Sequence, residues 1–290
     1  MHSQLKSKSL PPWFKIRLTT SGRSLSVRST IRNNKLHTVC QSAACPNQAE
    51  CWSSGTATFM ILGNICTRRC HFCKIQKGTP EKLDLDEPNR VAHAVATLQL
   101  NYAVITSVTR DDLDDGGASL FAATIRAIRR ESPACRVEVL IPDLQGSDSS
   151  LRTVLQASPD VLNHNIETVP ALYATVRPQA DYTRSLALLA SAHREGTLTK
   201  SGLMLGLGEG IDEVRMVMHD LRKAGCSILT LGQYLQPGRN HLPVKKYYRP
   251  DEFTSLRDEA LAMGFLHVAA GPHIRSSYHA AQYGGSGGPA

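Results

Sequence analysis

An α/β fold built on a parallel sheet is what this sequence predicts, and three observations carry the prediction. Short β-rich runs recur at 59–65, 103–108, 136–141, 161–166, 202–207 and 228–235. Helical patterns fall between them at roughly even spacing. The chain has 290 residues, 41% hydrophobic and 20% charged, enough to bury a full-sized core, which excludes disorder and low-complexity repeats. Alternating strands and helices give parallel strands joined by right-handed crossovers. Six such units curl into a partial (β/α)6 TIM-like barrel over 56–265. Residues 1–55 and 266–290 fall outside the repeat and are expected to cap its open side.

Each element has its own signal. The first helix starts at Asp86 and Pro88 and places Val91, Ala94, Val95 and Leu98 at i, i+3, i+4 and i+7. Further helices are expected near 116–130, 148–157, 181–195, 211–224 and 250–263. The uncharged run from Val91 to Thr109 is long enough to raise a membrane span. It contains His93, Thr97, Gln99, Asn101, Thr106 and Ser107, and its apolar period changes midway, so a helix followed by a buried strand explains it better. In a barrel of this kind chemistry collects on the loops after the strands. The polar motifs fall there: Cys66 to Cys73 after the first strand, Thr106 to Asp112 after the second, and Asn163 to Glu167 after the fourth. Gly202 to Glu209 and Gln233 to Pro237 end the fifth and sixth.

Charge is unevenly placed. Residues 1 to 49 carry Lys6, Lys8, Lys15, Arg17, Arg23, Arg28, Arg32 and Lys35 and no acid, while the rest of the chain is neutral. The net charge of +8 thus belongs to one N-terminal arm, not to a globular face. Its composition also fits a transit peptide, but Pro11-Pro12-Trp13-Phe14 leaves only a short stretch to discard. No apolar segment follows the first basic residues as in a secretory signal, so the expectation is a cytoplasmic protein with no membrane partner.

Six of the eight cysteines lie together: Cys40, Cys45 and Cys51 as C-x4-C-x5-C, then Cys66, Cys70 and Cys73 as C-x3-C-x2-C. A disulfide framework belongs to short secreted chains. Soft thiolates select zinc, copper(I) or iron-sulfur units. Structural zinc usually pairs two short knuckles, whereas each group here supplies three sulfurs with unequal gaps. Three thiolates on a [4Fe-4S] unit leave one iron open, which is a catalytic arrangement. His71 inside the second triplet is a possible zinc ligand, though an exposed loop histidine is the commoner case. Cys135 and Cys226 sit in apolar patterns and read as inert buried thiols.

Cys66-Thr67-Arg68-Arg69-Cys70-His71-Phe72-Cys73 resembles the cluster motif of radical S-adenosylmethionine enzymes. Together with Cys40, Cys45 and Cys51 and with Gly271-Pro272-His273-Ile274-Arg275-Ser276-Ser277-Tyr278, the chain is similar to the lipoyl synthase family over nearly its whole length. The resemblance implies two [4Fe-4S] clusters and S-adenosyl-L-methionine as cofactors. Cys66, Cys70 and Cys73 would hold the cluster that binds S-adenosylmethionine. Thr106 and Ser107 would contact its methionine part, Asn165 and Glu167 its ribose, Arg184 its carboxylate, and Phe72, Met204 and Tyr234 its adenine. Cys40, Cys45 and Cys51 would hold the sulfur-donating cluster, with Ser277 as a hard, displaceable fourth ligand; Ser277 is preferred to Ser276 on the resemblance alone.

The implied reaction inserts sulfur at carbons 6 and 8 of an octanoyl chain on a lysine. The implied partners are octanoylated lipoyl-carrier domains, namely 2-oxoacid dehydrogenase acyltransferase subunits and the glycine-cleavage H protein, with ferredoxin or flavodoxin as electron donor. The basic arm could steer an acidic carrier or merely wrap the barrel.

Plainer readings stand beside these. Met204 fits barrel core equally well, Asn163, His164 and Asn165 fit strand-end caps, and Ser277 fits a turn. Gly202 to Glu209 lacks the G-x-G-x-x-G order of a dinucleotide loop. Asp111, Asp112, Asp114 and Asp115 lack the spacing of a calcium loop and fit a helix N-terminus. The alternatives in function are another sulfur-inserting radical enzyme and a zinc-stabilised nucleic-acid-binding module. A neutral remainder with 6% aromatic residues argues against the module, and no nucleic-acid partner is expected.

Overall fold

The computed structural model describes residues 10–14, 22–43, 45–53 and 56–282. Its strands are β1 (His37–Thr38), β2 (Thr58–Ile61), β3 (Ile65–Cys66), β4 (Gln76–Lys77), β5 (Tyr102–Ser107), β6 (Arg136–Leu140), β7 (Val161–Asn163), β8 (Leu198–Leu205), β9 (Ile228–Gln233) and β10 (His267–Gly271). Its helices are α1 (Gly22–Asn33), α2 (Val39–Ser42), α3 (Gln48–Ser53), α4 (Glu87–Thr97), α5 (Ala118–Glu131), α6 (Asp148–Leu155), α7 (Tyr173–Val176), α8 (Tyr182–Arg194), α9 (Ile211–Lys223) and α10 (Pro250–Ala262). One sheet runs β1-β2-β5-β6-β7-β8-β9-β10, parallel throughout except for the antiparallel β1. Among the described residues β1 and β10 do not pair, so the barrel is partial, as the sequence predicts.

The six expected strands are β2 and β5 to β9, and the six expected helices are α4, α5, α6, α8, α9 and α10. β2 and β9 are buried at every residue, the state of strands covered on both faces. α4 turns Val91, Ala94 and Val95 into the core, so the long uncharged run is indeed a helix followed by buried β5. Among the described residues no helix is long and apolar enough to cross a membrane. A seventh parallel strand, β10, extends the sheet beyond the expected repeat.

The chain on either side of the repeat packs against itself and the barrel. From β10, residues 272–282 enter the sheet's interior: a Cβ at Gly232 of β9 would collide with the Ile274 carbonyl oxygen. Farther along, Ala280 packs on Tyr102 and Val104 of β5, and Arg136 of β6 donates to the Ala281 carbonyl at 3.3 Å. The N-terminal part lies over this segment. Asn47 donates to the His273 carbonyl at 2.6 Å, Tyr278 to Glu50 at 2.7 Å, and the Phe14 ring lies 5.5 Å from His273 and 5.7 Å from Tyr247. Of the basic arm, α1 buries Val27 and Ile31 against the core, so this part wraps the barrel. Lys6, Lys8, Lys15 and Arg17 lie outside the described residues.

Candidate active site

The cysteine loop runs between β3 and β4, which pair with each other in a separate two-stranded parallel sheet. Within it the Thr109 amide donates to Cys66 Sγ at 3.3 Å, the Gly78 amide to the Cys66 carbonyl at 3.1 Å, and the Cys73 amide to the Cys70 carbonyl at 3.3 Å. His71 bonds through Nδ1 to the Thr175 carbonyl at 2.6 Å, which gives it a loop-anchoring place outside the thiol group. Arg68 is buried and holds Asp111 at 2.7 Å and Asp143 at 2.6 Å. Burial pushes the Asp143 carboxyl up, but the Arg68 guanidinium overrides it and holds the group below its ordinary value.

A cavity of about 480 Å³ opens beside this loop. Cys40, Cys45, Cys51 and Ser277 lie on its lining, as do Phe72, Cys73, Asn165, Glu167, Met204 and Tyr234. Val39, Ala57, Ile75, Leu140, Leu203 and Pro237 make much of the remainder apolar. Cys66, Cys70, Thr106, Ser107 and Arg184 are not on the lining. The Thr106 hydroxyl donates to the Leu140 carbonyl at 3.0 Å, the Ser107 hydroxyl is buried without a partner, and Arg184 reaches Asp143 at 3.3 Å.

None of the eight cysteines is in a disulfide. Burial, and then Cys40, Cys45 and Glu50 in turn, push Cys51 up to about 12. Burial pushes Cys73 up to about 12 as well, the Ile75 amide opposing and Cys70, Cys66 and Glu167 adding. Each triplet therefore gathers closely enough for its members to repel as thiolates, and cationic iron is what would favour the ionised forms. Yet among the described residues no three His, Cys, Asp or Glu side chains converge on a single metal ion. The donor set is soft, the ligand type that iron–sulfur clusters take.

The polar wall is shaped by backbone geometry. Glu167 has a φ of 67° and bridges to Leu203 of β8, a strained conformation of the kind held at functional sites. Burial pushes its carboxyl up, with Arg177 and then Asn165 opposing. Asn165 donates to Glu167 at 3.1 Å and accepts from Ser276 at 3.0 Å, and Ser276 in turn accepts from Asn163 at 2.8 Å. Both Ser276 and Ser277 line the cavity, and the Ser276 hydroxyl is engaged by Asn163 and Asn165 of the barrel wall.

Other motifs are accounted for locally. The amides of Leu207 and Gly208 donate to Glu209 at 2.9 and 3.0 Å, so the glycine-rich turn is filled by its own carboxylate and leaves no phosphate cradle. Asp115 accepts from the amides of Gly117 and Ser119 at the start of α5, and Asp112 holds Arg110 at 2.8 Å. Cys135 and Cys226 are buried. His164 is buried between the Ile141 carbonyl at 2.9 Å and Ser185 at 3.0 Å, a structural post and not a cavity residue.

Arg177 had no signal in the sequence, and Arg275 and Gln233, both inside motifs read there, make contacts that the sequence did not announce. Arg177 donates to the carbonyls of Asn165 and Ile166 at 2.9 and 3.1 Å. Arg275 lies on the lining, where its charge opposes the burial that raises the Cys45 thiol. Gln233 ties the loop after β9 to the sheet through Lys246 and Tyr248, both at 2.9 Å.

The model of the radical SAM superfamily matches residues 60–221. A lipoyl synthase of Rubrobacter xylanophilus is 57% identical over 272 residues, 93% of this chain and 85% of that protein. A lipoyl synthase of Chlorobaculum tepidum is 54% identical over 274 residues, 93% of this chain and 94% of that protein. Among solved structures, methylornithine synthase superposes with a TM-score of 0.58 at 14% identity, covering 87% of this chain and 75% of its own, a likeness of fold. Motif, cavity and relatives agree, and the chain belongs to the lipoyl synthase family of radical S-adenosylmethionine enzymes.

Proposed function

We propose that the cavity is where this chain inserts sulfur at carbons 6 and 8 of an octanoyl chain attached to a lysine of a lipoyl-carrier domain. The observation that carries the reading is that Cys40, Cys45, Cys51 and Ser277 share one apolar cavity with Phe72 and Cys73 of the other cysteine loop. An unactivated methylene offers no acidic proton and no leaving group, so acid-base and nucleophilic side chains are of no use there. When bound, the two [4Fe-4S] clusters and S-adenosylmethionine supply the carbon radical and the sulfur that the reaction needs. The protein's own task is to hold, orient and keep water away.

In this reading Cys66, Cys70 and Cys73 hold the cluster that binds S-adenosylmethionine. Thr106, Ser107, Asn165 and Glu167 orient it, together with Arg184 steadied by Asp143, and Phe72, Met204 and Tyr234 shape its adenine pocket. Cys40, Cys45 and Cys51 with Ser277 hold the second cluster. Supporting Ser277 over Ser276 is the engagement of the Ser276 hydroxyl with Asn163 and Asn165. Apolar walls such as Ala57, Ile75 and Leu203 suit a straight acyl chain. Residues 1–55 and 266–290 complete the site that the 56–265 barrel begins. Electrons come from reduced ferredoxin or flavodoxin, the carriers are acyltransferase subunits and the glycine-cleavage H protein, and the setting is the cytoplasm.

The test is metal analysis after anaerobic reconstitution. Roughly eight iron and eight sulfide per chain, falling to about four of each in a Cys40/Cys45/Cys51 triple-alanine variant, is the expected result for two four-iron clusters. Stoichiometric zinc without iron uptake would overturn the reading and favour a binding module.

A further inference from the structure

Residues 50–290 are neutral as a whole, yet two loops beside the cavity carry charge of one sign. No acid occurs between Glu50 and Glu81, a stretch containing Arg68, Arg69, Lys74 and Lys77. No acid occurs between Pro237 and Asp251 either, a stretch containing Arg239, Lys245, Lys246 and Arg249. The two loops are joined: His241 Nε2 lies 3.2 Å from the Cys73 carbonyl, and the Leu242 amide donates to the His71 carbonyl at 3.4 Å. Both contribute to the cavity lining, the first through Phe72 to Ile75 and the second through Leu235 to Pro237.

Three of the eight cations are already neutralised. Arg68 is taken by Asp111 and Asp143, Lys246 by Glu252 and Arg249 by Asp251. Arg69, Lys74, Lys77, Arg239 and Lys245 are exposed, and none of them is in an ion pair among the described residues. Exposed cations left without acids around the mouth of a substrate cavity raise the local concentration of an anionic partner and set its approach.

We propose that this basic rim is the docking surface for the substrate protein: an acidic face of the folded carrier domain rests on Arg69, Lys74, Lys77, Arg239 and Lys245 while its acylated lysine enters the cavity. The proposal rests on the lipoyl synthase reading and assigns the steering role to the rim instead of the N-terminal arm. It separates two kinds of recognition, the acyl chain by the apolar wall and the protein by the rim.

The test uses the reconstituted holoenzyme and its Arg239→Glu/Lys245→Glu variant, neither residue being on the cavity lining. The probes are an octanoylated lipoyl domain of an acyltransferase subunit and a short octanoyl-lysine peptide. Binding of the domain is followed directly by surface plasmon resonance, and product by mass spectrometry. The expected result is at least about tenfold weaker domain binding, a shallower salt dependence of that binding, and turnover of the peptide within about twofold of the parent. Unchanged domain binding would overturn the docking surface, as would equal loss on peptide and domain, or tighter binding of a single-stranded RNA than of the domain. Failure of the parent enzyme to make lipoyl product from either substrate would instead refute the functional reading itself.

Discussion

Lys200 and Glu138 are each 1% exposed, and the ammonium reaches both carboxylate oxygens, at 2.9 and 3.1 Å. Tyr102 and Asn163 complete the carboxylate's bonding at 2.7 and 2.9 Å. Removing one partner strands a buried charge, so Lys200→Met is expected to cost about 3–5 kcal/mol in urea unfolding, and Lys200→Met/Glu138→Leu to regain most of it. His164 carries a pH prediction. Burial, then the Arg177 charge, lower its pKa to about 4 from an ordinary 6.5. Its folded form is therefore favoured while neutral, a contribution complete above pH 6.5 and lost as the pH falls toward 4, at up to about 1.4 kcal/mol per unit. Between pH 7 and 5 the urea midpoint of the parent should fall more steeply than that of His164→Gln. At this scale the cysteines were legible because ligand chemistry resides in residue type and spacing. Arg177 was not, and Arg275 only as a member of its motif, because what matters in both is burial, which only tertiary packing decides.

At the scale of elements, residues 272–282 are seated in the barrel by two devices. Gly232 leaves room for the Ile274 carbonyl, and Ser276 links Asn163 to Asn165. Gly232→Ala should displace the segment, read as amide hydrogen exchange over 272–282 faster by at least about tenfold, ~1.4 kcal/mol of local stability. Ser276→Ala should act the same way more weakly, whereas Ser277→Ala should leave exchange unchanged in the cluster-free protein. The six central strands were readable because parallel strands buried on both faces form dense β-rich runs. β10 was not: Ala269, Ala270 and Gly271 carry little strand propensity, and the pairing with β9 supplies what the sequence lacks. α1 escaped notice for a similar reason, since Val27, Thr30 and Ile31 are its only buried residues and the rest is polar.

Across the whole molecule, the two cysteine triplets predict separable losses. Cys70→Ala should abolish both cleavage of S-adenosylmethionine and lipoyl product, while Cys40→Ala should keep cleavage and lose product, measured as 5′-deoxyadenosine and lipoyl-lysine by mass spectrometry. Lipoyl product from Cys40→Ala would refute its assignment to the sulfur-donating cluster. The alternation of strands and helices made the partial barrel legible from sequence, and of the residues expected at its rim the structure sets Phe72, Cys73, Asn165, Glu167, Met204 and Tyr234 on one cavity. The meeting of the N-terminal and C-terminal segments was legible only as an expected cap, because contacts such as Asn47 to His273 join positions 226 residues apart with no local pattern to announce them.

That long-range closure also imposes an order in time. Glu50 and Tyr278 are 228 residues apart in the chain, and at about 5–20 residues per second a ribosome delivers the second roughly 10–45 s after the first. In the proposed assignment, Cys40, Cys45 and Cys51 emerge early and Ser277 only after the barrel strands between have been made. Under that assignment the serine ligand of the auxiliary site is the last of the four to be made, and residues 272–282 can take their place in the barrel only after the three cysteines have emerged.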